Sequence, residues 1–286
     1  MDSINQLLKL LKLENQTDTQ FIGENYPASW GRVFGGQVLA QSLNAAYRTV
    51  PKNRIAHSMH GYFILAGDIN HPVVYEVDKI RDGKSFTTRR VVAYQKGKAI
   101  FNMSASFQKN EIGVDHQIIA PNILPPEVLS SDIQQIEKLK DKLPHYYESL
   151  KKAHFKMFDF KPVETLSHLE TKNMIPFSHI WFKTKEKKKI SLPEKHQILA
   201  FASDIGLLMT ATKPHREKIK GKSVFVASID HAMWFHRDFE IHEWLLYAMD
   251  SPSASSARGY TRGNIFSKSG KLIASVTQEG LIRLKR

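Results

Sequence analysis

The segment HQILAFASDIGLLMTA, His196 to Ala211, places one carboxylate, Asp204, inside an otherwise almost wholly apolar stretch. Taking an ionised carboxylate out of water is costly unless something compensates it. Desolvation also raises a carboxyl pKa toward the working pH, which makes it a better proton acceptor. Asp204 is therefore the candidate general base; the plain alternative is a buried acid satisfied by backbone or a neighbouring strand. Other suggestive patterns carry less chemistry. His57 and His60, three apart on a strand, face opposite sides and cannot hold one metal ion together. His231 sits beside Asp230, but adjacent strand residues diverge, so these histidines read as structural. The strings DGKS and GKS at Gly83 and Gly221 lack the earlier glycine of a phosphate loop, where Asp78 and Arg216 stand instead.

A helix over Glu194 to Met209 would place Asp204 on one face with Gln197, Phe201 and Leu208. That helix is apolar in nearly every direction, so protein must enclose it. The same pattern occurs earlier. GQVLAQSLNAA from Gly36 matches HQILAFASDIG from His196, with Gln37 over Gln197 and Asn44 over Asp204, an offset of 160. HSM at His57 matches HAM at His231, an offset of 174. SFTTRRVVAYQKGKAIFNMSAS from Ser85 overlays RGYTRGNIFSKSGKLIASVTQE from Arg258 at 173, pairing Thr88 with Thr261 and Arg89 with Arg262. Three matches in one order at nearly constant offset indicate an internal duplication.

Each half reads as strand, helix and then several strands. In the first half these are a strand near Gln20–Asn25, a helix near Gly36–Thr49, and the extended runs IAHSMHGYFIL, PVVYEVDKIR, SFTTRRVVAYQ and AIFNMSASFQ, the last two joined by a hairpin at KGK. The segment from Asn110 to about Lys161, proline-rich at first and helical after Ser131, reads as a linker. One helix wrapped by an antiparallel sheet, made twice, predicts an α+β double hotdog: a repeat over 1–109, a linker with a helix over 110–161, and a repeat over 162–286 carrying the reactive residues. The two sheets could join edge to edge, which leaves fewer open edges.

The 286 residues carry 41 Lys+Arg against 28 Asp+Glu, a net charge of +13, and no cysteine. This excludes disulfides and thiolate chemistry and suits a cytoplasmic protein. No apolar run is long enough to span a bilayer, so membrane insertion is not expected. The densest basic run, KTKEKKK from Lys183, reads as a solvated loop. No nucleic-acid-binding motif accompanies the charge, and nucleic acid is not expected as a partner.

The runs RVFGGQVLAQSLNAA, HSMHGYFILAGD, IRDGKSFTTRRV, IDHAMWFHRDF, SPSASSARGYTRGNIF and LIASVTQEG together resemble the type II acyl-CoA thioesterase family, over most of the chain except the linker. The resemblance implies hydrolysis of acyl-CoA to free fatty acid and CoA, without metal or organic cofactor. It also implies an Asp, Thr or Ser, and Gln set that orients a water, at Asp204, Ser228 and Gln278. Ser228 stands where many members carry Thr, keeping the hydroxyl and losing a methyl. Strand alternation would put Val226, Ser228, Asp230 and Trp234 on one face. No G-x-S-x-G elbow surrounds Ser228, so it is read as holding water, not as a nucleophile.

Under the offsets above, the first half has Asn44, Arg54 and Ala105 opposite Asp204, Ser228 and Gln278. One half thus carries the whole reactive set. For the developing oxyanion, FGG at Phe34–Gly36 opens the first helix, which makes Gly35 and Gly36 the candidate N–H donors. Arg89, Arg258 and Arg262 are candidates for the CoA phosphates, with His57 as a further substrate-side candidate. A homo-oligomer, dimer or tetramer, is expected. The rival readings are a non-catalytic acyl-CoA-binding protein and a hotdog enoyl-CoA hydratase, whose D-x-N-P-x-H pattern SDIGLLM does not supply.

Overall fold

The computed structural model describes residues 1–141, 144–164 and 172–284. In the first half, the amphipathic helix α1 (Ile4–Leu11) is capped by Ser3 and buries Ile4, Leu7 and Leu11. It leads into β1 (Glu14–Asn15) and β2 (Gln20–Gly23), then the long helix α2 (Gly35–Tyr47). Strands β3 (Ile55–Phe63), β4 (Val73–Asp82), β5 (Phe86–Gln95) and β6 (Lys98–Gln108) follow. Lys96 (φ 51°) and Gly97 (φ 71°) form the turn at KGK, the two left-handed residues that a tight hairpin requires.

The linker holds α3 (Asp132–Glu137), started by a capping box between Ser131 and Gln134, and α4 (Pro144–Ala153). The second half begins with β7 (Phe158–Pro162), which pairs with β8 (Phe177–Thr184). The boundary expected at 161/162 therefore cuts a strand, and the sheet of the second half starts at Phe158. Helix α5 (Leu192–Ser203) carries a capping box between Ser191 and Glu194. Next come a 3-10 segment (Leu208–His215), a short helix α6 (Arg216–Ile219), and strands β9 (Val224–Ser228), β10 (Asp230–Phe235), β11 (Leu245–Ser255), β12 (Arg258–Ser267) and β13 (Leu272–Leu284).

One antiparallel sheet of 13 strands runs β1-β2-β4-β5-β6-β3-β10-β13-β12-β11-β8-β7, with β9 paired to β13. The halves join where β3 meets β10, Met59 opposite Met233. This is the expected double hotdog. Every residue of α5 from Lys195 to Ser203 is buried, as are ten residues of α2, and the two helices pack on each other inside the sheet. Among the described residues, no helix is long and apolar enough to cross a membrane.

Three details differ from the sequence reading. Helix α5 stops at Ser203, so Asp204 is its C-cap and not a mid-helix residue; Gly206 (φ 79°) then turns the chain away. The offset of 173 holds between β6 and β13 but fails between β5 and β12. Ala93 pairs with Phe101 in the first hairpin and Ile265 with Ala274 in the second, so one extra residue lies between the strands of the second. Because side chains alternate, the shift by one swaps faces. Arg89 is buried while Arg262 is exposed, and the counterpart of Arg89 is Thr261, at 172. Finally, a bulge between Ala56 and Ser58 turns His57 away from the core, whereas His231 points into it.

Candidate active site

Asp204 leaves the end of α5 beside the start of α2. An aromatic cluster sets this meeting: Phe34, the residue before α2, lies 5.0 Å from Phe201 and 5.1 Å from Phe155 between ring centroids. Two glycines permit the close approach. A Cβ on Gly36 would strike the Phe201 carbonyl, and one on Gly35 would lie 2.7 Å from Asp204 Oδ2. The Gly36 N–H donates to Asp204 Oδ2 at 2.9 Å, so the carboxylate caps the positive end of α2.

The other carboxylate oxygen, Oδ1, accepts from Gln278 Nε2 at 2.9 Å. The same amide nitrogen donates to Ser228 Oγ at 2.7 Å. Gln278 comes from β13 and Ser228 ends β9, which β13 pairs with at Ser228–Gly280. Both amide protons of Gln278 are thus used, and the Ser228 hydroxyl, which accepts from Gln278, turns its own proton toward Asp204. The expected continuous strand face through Ser228 and Asp230 is broken at Ile229, between β9 and β10. That break lets Ser228 face the cavity while the Asp230 carboxylate accepts from the Glu279 backbone N–H at 2.6 Å.

Burial pushes the Asp204 pKa above the ordinary 3.8, against the opposing hydrogen bonds from Gln278, Gly36 and Ser228. A carboxylate so placed is desolvated and lacks a cationic partner, the condition under which it accepts a proton readily. Behind it, Tyr247 donates to the Ser203 carbonyl at 2.9 Å and fixes the end of α5. The Ser203 hydroxyl lies 3.0 Å from His231 Nε2, and burial lowers the His231 pKa to about 3, so this ring is a neutral structural partner.

Asp204 and Ser228 open onto a cavity of about 420 Å³. Its walls include Val33, Phe34, Val38, Phe63 and Phe101, with Trp30, Ile64 and Leu65 partly exposed around it. Arg32, which sequence reasoning missed, lies on the same wall with its guanidinium 5.2 Å from the Phe225 ring. Its position next to VFGG was the available signal. Gly35 also lines this cavity.

The remaining sequence candidates lie elsewhere. Arg89 is fully buried, tying Thr49, Arg81 and Asp82 together, and its donors are occupied. His57 bonds Ser106 at 2.8 Å on the other side of the sheet from the core. Arg258 pairs with Glu279 and Arg262 with Asp250, both exposed. None of the four lines the Asp204 cavity. Among the described residues, no group of three or more His, Asp or Glu is arranged to hold a metal ion.

The chain is similar to known proteins over nearly its whole length. Residues 152–281 match the family model described as acyl-CoA thioesterase, and residues 26–108 match that of the acyl-CoA thioesterase N-terminal domain. The chain is 37% identical over 282 residues to acyl-CoA thioesterase 2 of Haemophilus influenzae, covering 99% of this chain and 98% of that protein. It is 35% identical to acyl-coenzyme A thioesterase 8 of Homo sapiens over 283 residues, covering 96% of this chain and 88% of that one. Among solved structures, acyl-CoA thioesterase II TesB2 of Mycobacterium marinum superposes with a TM-score of 0.80 at 37% identity, covering 97% and 98% of the two chains. Likeness over nearly the full length of these proteins leads to one conclusion: the chain belongs to the acyl-CoA thioesterase family.

Proposed function

We propose that this protein hydrolyses acyl-CoA to free fatty acid and CoA, with Asp204 as general base and Ser228 and Gln278 holding the attacking water. The observation that carries the reading is the Gln278 amide, which bridges Asp204 and Ser228 and fixes their mutual orientation. A water that enters between the two replaces their direct contact, accepting from the Ser228 hydroxyl and donating to the Asp204 carboxylate. Asp204 removes its proton as the oxygen attacks the thioester carbonyl. The carbonyl electrons move onto oxygen, and their return expels CoA as thiolate, a leaving group that needs little acid assistance.

The oxyanion requires donors already in place. The Gly35 N–H, at the first position of α2, has no partner within the helix and lies on the cavity wall, so it is the donor assigned here. Gly36, also expected to serve, is already engaged with Asp204 and acts instead to orient the base. The apolar cavity walls suit an acyl chain.

The test is thiol release from acyl-CoAs of several chain lengths, with Asp204→Asn in parallel. Loss in the variant with an intact thermal transition supports the assignment. Absence of release by the wild type would instead favour a binding protein, and equal release by both would remove Asp204 from the mechanism.

A further inference from the structure

The sheet forks at the Asp204 cavity. Strand β10 pairs with both β3 and β13, but β9, which precedes it, pairs with β13 alone. The last link across the fork is the Phe63 N–H on the Ile229 carbonyl at 2.9 Å. Beyond it, the N–H groups of Ile64 and Leu65 turn to the Ile100 carbonyl on β6. Strand β9 therefore presents an open edge. Val226 to Ser228 on this strand and Ile64 to Gly67 across the gap line the same cavity as Asp204.

The register identifies the main-chain groups left open. Ile229 donates to the Glu279 carbonyl, and Ala227–Leu281 and Phe225–Arg283 follow at two-residue steps, so these are the hydrogen-bonded pairs. Between them Val226 lies opposite Ile282, whose own N–H points the other way, to the Ala257 carbonyl at 2.7 Å. The N–H and C=O of Val226 therefore point away from β13 into the gap, as do those of Ser228. Among the described residues, these groups have no protein partner.

Unpaired main-chain groups at strand spacing are a template for an extended chain that carries amides. The reading of this site as an acyl-CoA hydrolase, on which the inference rests, supplies such a chain: the pantetheine arm, which leaves the thioester sulfur and carries two amides. Extended, the arm places its first amide about 5 Å from the thioester carbon, on the scale of the roughly 6.8 Å between Ser228 and Val226. Its direction is also set. Toward Ile229 the edge is closed by Phe63, so an arm starting at Ser228 runs past Val226 toward Val224. Cations lie that way: Arg32 over the Phe225 ring, and Lys218, Lys220 and Lys222, exposed and without an ion pair among the described residues. The phosphates of CoA would emerge toward them. We infer that the open edge of β9 docks the pantetheine arm, with the carbonyl of its first amide accepting from the Val226 N–H.

At an edge position, proline removes an N–H without breaking the ladder on the other side. The experiment therefore compares Val226→Pro with Val226→Ala, which keeps the N–H, on octanoyl-CoA and on the octanoyl thioester of ethanethiol, which has no amide. Val226→Pro should raise KM for octanoyl-CoA about tenfold over Val226→Ala with little change in kcat, and the two should be alike on the ethyl thioester. Equal KM values on octanoyl-CoA would overturn the inference. A second measurement needs no variant. In wild-type protein carrying isotope-labelled valine, hydrogen exchange at the Val226 N–H should slow about tenfold on addition of S-octyl-CoA, a thioether that cannot be hydrolysed. Unchanged exchange would overturn the inference. So would slow exchange before any ligand is added, since another strand would then already cover the edge. Thiol release by the wild type with unchanged exchange would remove the docking edge and leave the hydrolysis standing. Slowed exchange without thiol release would keep the edge and remove the hydrolysis.

Discussion

The ends of the two central helices make the clearest comparison in the molecule. Where α5 ends, Asp204 meets the amide of Gly36, a residue without a side chain, and two strands bring Gln278 and Ser228 to it. Where α2 nears its end, Asn44 meets Gln197, and the counterpart of Gly36 is His196, whose ring fills the space and stacks on Phe235 at 4.2 Å. The counterpart of Gly35 is Lys195, held by Asp238 and Glu240. The frame is the same in both halves, but α5 starts at Leu192, one turn before these counterparts, so His196 lies inside its helix where Gly36 stands at the free N-terminus of α2. A general base here requires the acid and also the absence of side chains opposite it.

Breaking the comparison at its reactive end should have the largest effect. Asp204→Asn, which turns that residue into its own counterpart, should lower the rate of thiol release by about 10² to 10⁴, the range of a general base. The same variant should be more stable at neutral pH. The folded-state pKa of Asp204 is raised, so the ionised carboxylate subtracts stability, a penalty that is absent at low pH and develops as pH rises through that pKa. Chemical denaturation of the two proteins at pH 7 reads this directly, and a less stable variant would contradict it. The acid limb of kcat/KM in the wild type should accordingly lie above 3.8, since activity needs the ionised form.

Next in size is Gln278→Ala, expected to reduce kcat by about 10- to 100-fold, because the amide joins the base to the hydroxyl without itself moving a proton. Asn44→Asp sharpens the comparison from the other side. No thiol release should be gained in an Asp204→Asn background, since His196 and Arg54 stand where Gly36 and Ser228 are needed. Rescue by that single change would show that the acid alone defines the site. The smallest effect is expected of Ser228→Thr, which keeps the hydroxyl and should alter kcat by only a few-fold.

Much of this was legible in the sequence. The all-round apolar character of HQILAFAS required an enclosed helix, and KGK between alternating runs required a hairpin. Asp204 stood out because its neighbours made it costly. What could not be read were shifts of a single residue. Gly206 lies within an apolar run that extends the predicted helix to Met209, past the end of α5 at Ser203. One extra residue in the β12–β13 hairpin exchanged the faces of Arg89 and Arg262, and a bulge did the same to His57. Arg89, Arg258 and Arg262, expected on phosphates, are tied to backbone or to acids, while Arg32, inside RVFGGQ, lies on the cavity wall. Local pattern carries element type, but which side of a strand a residue occupies depends on pairings made far away in the chain.

The junction of β3 with β10 has one further consequence. If the halves were separate identical molecules, that strand pairing would form only at sufficient concentration, and every substitution would appear in both partners at once. Covalent linkage makes the pairing intramolecular and independent of dilution. It also lets a change be made once. One helix can begin a turn early and carry a histidine where the other begins on glycine, an asymmetry that no pair of identical subunits could encode.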